Sequence, residues 1–97
     1  MLNSRQRAYL RSLANGLEDV FQIGKSGITS SMEKDISACL EARELIKVKV
    51  LDNCELDARE AGHELAGAIE ADVVQVIGNK FVLYRESKEN SKIQLPK

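Results

Sequence analysis

Tryptophan is missing from this 97-residue chain, and only two tyrosines and two phenylalanines carry aromatic rings. A module that reads nucleic-acid bases by stacking them on aromatic side chains would want more of these. Histidine occurs once, at His63, and cysteine twice, at Cys39 and Cys54. So sparse a cysteine pair does not make a disulfide framework. A tetrahedral metal site would need a further ligand at recognisable spacing. Cys39 reads as a small core residue, Met32 as core filler, and no metal or cofactor is expected. No apolar run approaches membrane-spanning length, so no membrane partner is expected. The opening residues, Met1-Leu2-Asn3-Ser4-Arg5-Gln6-Arg7, enter an amphipathic pattern and not the long apolar stretch of a signal peptide. A cytoplasmic location is the resulting expectation. There is no nucleophile–base pair, no metal set and no Walker-type loop, which argues against an enzyme.

What is present suits one globular domain: 43% hydrophobic and 30% charged residues in 97. The net charge of −1 would seem to exclude a polyanionic partner. Its distribution reverses that argument. Residues 1–50 sum to +2, residues 51–72 to −6 and residues 73–97 to +3. One segment is strongly acidic and the remainder is net basic, so a phosphate ligand would avoid the first and favour the second.

The periodicity predicts seven elements. A first helix starts after Asn3 or Ser4 and ends near Asn15-Gly16, with Tyr9, Leu10, Leu13, Ala14 and Leu17 on one face. Arg5, Arg7 and Arg11 lie off that face as a solvated basic surface. A strand follows at Asp19–Ile23. A second helix runs over residues 30–42, with Ser30-x-x-Glu33 as capping box, Thr29 as competing cap, and Met32, Ile36 and Leu40 as buried stripe. Leu45–Val50 is the clearest strand: Ile46, Val48 and Val50 point one way, Lys47 and Lys49 the other. A third helix is expected from Asp52 or Asn53, with Ala58, Ala61, Gly62, Leu65, Ala68 and Ile69 inward and His63 on an acidic surface. Asp72–Ile77 and residues 81–85, joined through Gly78-Asn79-Lys80, read as a hairpin. Its strands are apolar on both faces, so they are central or the first helix covers their second face. Residues 1–85 form the domain; residues 86–97 read as a mobile polar tail whose Ile93-Gln94-Leu95-Pro96 docks back. The order is α-β-α-β-α-β-β, an α/β domain with one four-stranded mixed sheet and right-handed crossovers. Strand order does not follow from the pattern.

The richest stretch is Gly24-Lys25-Ser26-Gly27-Ile28-Thr29, between the first strand and the second helix. A G-x-x-G turn lets backbone approach a phosphate with no Cβ in the way, and a helix N-terminus beside it offers free N–H groups and a positive dipole end. KH modules clamp a nucleic-acid backbone with such a loop.

Taken together, Gly24-Lys-Ser-Gly27-Ile-Thr29, Glu44-Leu-Ile-Lys-Val-Lys-Val50, Val74-Gln-Val-Ile-Gly78, Val82-Leu-Tyr-Arg85 and Ile93-Gln-Leu-Pro96 resemble the CRM family, the chloroplast RNA splicing and ribosome maturation domain. The likeness is strongest to its small stand-alone bacterial members of YhbY type, and it runs from about Ser4 to Pro96. Where many members carry histidine just before the Glu-Leu-Ile-Lys run, this chain has Ala42-Arg43. The resemblance implies a non-enzymatic RNA-binding domain, similar in fold to the C-terminal domain of translation initiation factor three. It implies association with ribosomal RNA of large-subunit precursors. The residues expected to meet RNA are Gly24, Lys25, Ser26, Gly27, Thr29, Lys47, Lys49, Lys80 and Arg85, in a chain expected to act as a monomer. The competing reading is a ribosomal adaptor that offers its acidic third helix to basic ribosomal proteins.

Overall fold

A reciprocal cap starts the first helix. Asn3 Oδ1 accepts from the Gln6 N–H at 2.8 Å, and Gln6 Oε1 accepts from the Asn3 N–H at 3.0 Å. In the computed structural model, which describes residues 2–97, this helix is α1, Ser4–Ala14. The strand β1, Asp19–Ile23, leads through the 24–27 turn to α2, Ser30–Arg43. Of the two competing caps, Thr29 and not Ser30 starts α2: its Oγ1 accepts from the Met32 N–H at 3.1 Å. Then come β2, Leu45–Val50; α3, Ala58–Ile69; β3, Asp72–Ile77; and β4, Lys80–Tyr84.

The third helix begins later than the pattern Asp52-x-x-Glu55 suggests. The same spacing recurs at Asp57 and Glu60, and that pair forms the capping box, with bonds of 2.8 and 3.0 Å. Residues 51–54 instead close a turn, the Cys54 N–H donating to the Leu51 carbonyl at 3.0 Å. The inward stripe also differs by one residue: Ala66 is buried and Ala68 is exposed. Ala66 stands four residues after Gly62 and three before Ile69, which puts it on their face.

The sheet runs β1-β2-β4-β3. β1 is parallel to β2, and β4 is antiparallel to both β2 and β3. The hairpin therefore folds back into the gap between β2 and its parallel partner β3. Both crossovers, through α2 and through α3, step in the same direction across the sheet and pack on the same face, so they share one hand.

That face is closed. Ile23, Ile46, Val48, Phe81 and Leu83 meet Ile36 and Leu40 of α2 and Ala61 and Leu65 of α3 in the main core. Each large side chain so buried contributes about 1.5–3 kcal/mol. Gly62 lets α3 approach: a Cβ there would stand 3.2 Å from Phe81 Cγ. The other face is half closed. Leu10 and Ala14 of α1 cover Leu45, Val74, Val82 and Tyr84, with Leu2, Ile93 and Leu95 sealing the margin. Helix α1 thus covers the second face of the hairpin, of which β4 is central and β3 an edge.

Residues 86–97 contain no helix or strand, yet they are tied down along the sheet end where β2 begins. Glu44 is fully buried and sits in the left-handed region, φ 67°, as the C-cap of α2. Its carboxylate accepts the N–H groups of Ser87 at 2.8 Å, Ile93 at 2.8 Å and Lys92 at 2.5 Å. Glu41 Oε2 accepts the Ser87 hydroxyl at 2.6 Å. Burial opposes the charge on Glu44, but the three N–H donors outweigh it and hold its carboxyl below the ordinary range.

Candidate nucleic-acid interface

Alternation along β2 sends Lys47 and Lys49 to the face that α1 covers only in part. Beyond the reach of α1, toward the C-terminal ends of β1 and β2, that face carries Gln22, Lys49 and Lys80. Lys49 stands directly opposite Lys80 on antiparallel β4 and beside Gln22 on parallel β1. Like charges directly opposite one another are unfavourable in a sheet. One carboxylate relieves them: Lys80 Nζ lies 3.0 Å from Asp19 Oδ1. That hydrogen bond lowers the Asp19 pKa against a smaller desolvation effect, with Lys49 adding a weaker attraction. Lys49 has no hydrogen-bond or ion-pair partner among the described residues. Lys47 is committed, its Nζ donating to the Leu17 carbonyl at 3.0 Å and fastening the α1–β1 connection.

The G-x-x-G segment sits at the same end of the sheet. It is a β-turn closed by the Gly27 N–H donating to the Gly24 carbonyl at 2.9 Å. Gly27 has φ 67°, where a side chain is strained, although a Cβ would meet nothing within 4 Å. Gly24 is held differently: a Cβ there would lie in ordinary contact, 3.5 Å from both Asn53 Oδ1 and Leu51 Cδ1. Lys25 and Ser26, between them, are exposed. Thr29 spends its hydroxyl on the cap, and the opening N–H groups of α2 face out beyond it. The acidic 51–57 loop lies against Gly24, on the side of the turn away from the Lys49–Lys80 face.

The sequence model of the CRS1/YhbY (CRM) domain matches residues 2–85. The chain belongs to that family. This CRM domain is 50% identical over 96 residues to the Bacillus subtilis "Probable RNA-binding protein YqeI", covering 99% of this chain and 100% of that one. It is 36% identical over 96 residues to an "RNA-binding protein" of Haemophilus influenzae, covering 99% and 96%. Among solved structures it is similar to "the hypothetical protein SAV1595 from Staphylococcus aureus, a putative RNA binding protein", with a TM-score of 0.82 and 52% identity over 99% of this chain and 100% of that chain.

Of the residues expected to meet RNA, the CRM fold gathers Gly24, Lys25, Ser26, Gly27 and Thr29 in one loop. It sets Lys49 and Lys80 on the adjoining sheet face, with Lys47 one pleat further in. Arg85 it does not bring there. The Arg85 guanidinium donates to the Ser37 carbonyl at 2.7 Å, and to Ser37 Oγ and the Ile69 carbonyl, each at 2.9 Å. It joins α2 to the end of α3 on the opposite face. Two residues that sequence reasoning passed over share the lysine face: Gln22, beside Lys49, and Ile77, opposite Lys80 and 59% exposed. Their alignment depends on cross-strand register, which the sequence pattern does not specify.

Proposed function

We propose that this CRM domain binds structured RNA by its phosphate backbone, through the 24–27 turn, the N-terminus of α2 and the Lys49–Lys80 face. The observation that carries the reading is the cross-strand lysine pair, Lys49 opposite Lys80, with a single carboxylate, Asp19, paired to Lys80 alone. An RNA phosphate arriving there supplies the counter-charge that Lys49 lacks. The names of the relatives from Bacillus subtilis and Haemophilus influenzae support RNA as the ligand. The scarcity of aromatic side chains favours backbone contact over base stacking.

The RNA is ribosomal, in precursors of the large subunit, and the protein acts there as a non-enzymatic assembly factor in the cytoplasm. This part rests on the family resemblance. The adaptor reading is less favoured, because Asp57 and Glu60, two of the acids in the third helix region, are engaged in capping α3.

Titration of a labelled ribosomal RNA fragment at rising salt tests the first statement. Affinity falls steeply, the logarithm of the binding constant declining linearly with the logarithm of salt concentration. A flat response between low and physiological salt rejects it. Sedimentation of cell extract tests the second: the protein travels with large-subunit precursors. Recovery wholly at the top of a low-salt gradient rejects the assembly role.

A further inference from the structure

The free edge of β3 carries a second convergence of basic side chains. The acidic stretch, residues 51–72, has one arginine and one histidine, Arg59 and His63. They stand four residues apart on α3, on one face, and line the same cleft of about 580 Å³ beside β3. From the other side of the sheet, Arg7 of α1 reaches into this cleft and donates from Nη1 to the Val73 carbonyl. Three nitrogen-bearing side chains from two helices, on opposite faces of the sheet, thus meet at one strand edge.

The local chemistry favours an anion. Arg59 lies in the first turn of α3, where the helix dipole disfavours a cation, so the helix itself gains nothing from its charge. Arg7 occupies a carbonyl of the edge, and its other guanidinium donors have no partner among the described residues. An unpaired strand edge adds outward backbone N–H groups, and Gln75 lines the same cleft. Asp72 is the carboxylate in the lining and sits at the end of β3 nearest α3's C-terminus. Glu60 and Glu64 lie one position round the helix, and Glu60 is held by the Asp57 N–H at 3.0 Å.

We infer that Arg7, Arg59, His63 and Gln75 form a second contact for the RNA phosphate backbone, around the β3 edge. The inference rests on the RNA-binding reading above and extends its surface. Neighbouring strands lie about 4.8 Å apart, so β1 and β3 are separated by roughly 14 Å. An RNA strand crossing the lysine face from the 24–27 turn past Lys80 and Ile77 reaches this edge within a few nucleotides. The two contacts would fix its direction across the sheet, which one patch alone does not.

The test compares the parent chain, Arg59→Gln/His63→Gln, and Lys25→Ala/Lys49→Ala in binding a labelled structured RNA across a salt series. Both α3 positions are exposed, and thermal melts verify that the variants fold. Arg59→Gln/His63→Gln binds at least about threefold more weakly, and its salt slope is shallower by about one phosphate contact. In the parent, amide resonances of Gly67 and Gln75 shift when RNA is added. Unchanged affinity and slope in the α3 variant, beside weakened Lys25→Ala/Lys49→Ala, overturn the second contact and leave the RNA reading intact. A parent chain that does not bind RNA overturns both.

Discussion

The two ends of the sheet are built in opposite ways. Where β2 begins, three charged side chains hold other parts of the chain: Glu44 accepts three backbone N–H groups, Glu41 accepts the Ser87 hydroxyl, and Arg85 joins α2 to α3. Where β2 ends, Lys25, Ser26 and Lys49 stand without partners among the described residues, and the turn is closed by one backbone bond. The first end spends its charge on holding the chain. The second leaves its donors uncommitted, as the proposed contact with RNA requires. A substitution at the first end should therefore cost stability and spare binding, and one at the second should do the reverse.

The largest effect is expected at Glu44. Glu44→Gln leaves buried N–H donors facing an amide that can satisfy fewer of them, and should lower stability by about 3 kcal/mol in urea or thermal melts. RNA affinity, measured well below the melting point, should stay within a factor of about two of the parent, since Glu44 is remote from the proposed face. The same residue carries an acid dependence. Its folded pKa lies below its ordinary value of 4.5, so its contribution is present above that value and is lost as pH falls through the folded one. Glu41 and Asp19 shift in the same direction. Melts of the parent should thus weaken below about pH 4.5, and Glu44→Gln should flatten that decline.

Arg85→Ala comes next, with a loss of about 2 kcal/mol, because the Ser37 and Ile69 carbonyls lose a charged donor. Unchanged RNA binding in the folded variant would sharpen the division between the ends. A clear loss of binding at full stability would return Arg85 to the interface and break it.

The turn glycines separate conformation from contact. Gly27→Ala should cost about 1 kcal/mol, because φ is positive there although the space is open. Gly24→Ala, in ordinary van der Waals surroundings, should be near neutral in melts. Ser26→Asp is then the sharper probe of binding: Ser26 is exposed in the turn, so an aspartate there keeps the fold and places a negative charge where a phosphate approaches. The smallest effect is expected at Lys49→Ala. Stability should be unchanged or slightly raised as the repulsion with Lys80 disappears. RNA affinity should fall about threefold, one contact among several.

Much of this fold is legible in the sequence because local and tertiary preferences agree. Asn3, one of the two caps expected for α1, starts that helix, Leu45–Val50 alternates as it packs, and Gly78-Asn79 turns the hairpin. The start of α3 is harder, since Asp52-x-x-Glu55 and Asp57-x-x-Glu60 are equally good caps and only packing of Ala58 on the core decides. Strand order, and with it the pairing of Lys49 with Lys80, depends on long-range register that no local pattern encodes. The same limit hides Glu44 and Arg85. A glutamate before a strand and an arginine after one read as surface charge until the tail and the helices close around them.

The tail has a topological consequence. Gln6 Nε2 donates to the Pro96 carbonyl at 3.1 Å, so the first turn of α1 and the end of the chain are neighbours. Both lie at the Glu44 end of the sheet, away from the 24–27 turn. Residues 3–96 thus trace nearly a closed ring, and a short linker joining those two positions would close it with little loss of loop entropy. New ends could then be opened in an exposed connection such as Asn15-Gly16. Such a permuted chain would keep the same sheet. Cargo or a surface tether joined beside Asn3 or Pro96 would hang from one pole of the molecule and leave the other unobstructed.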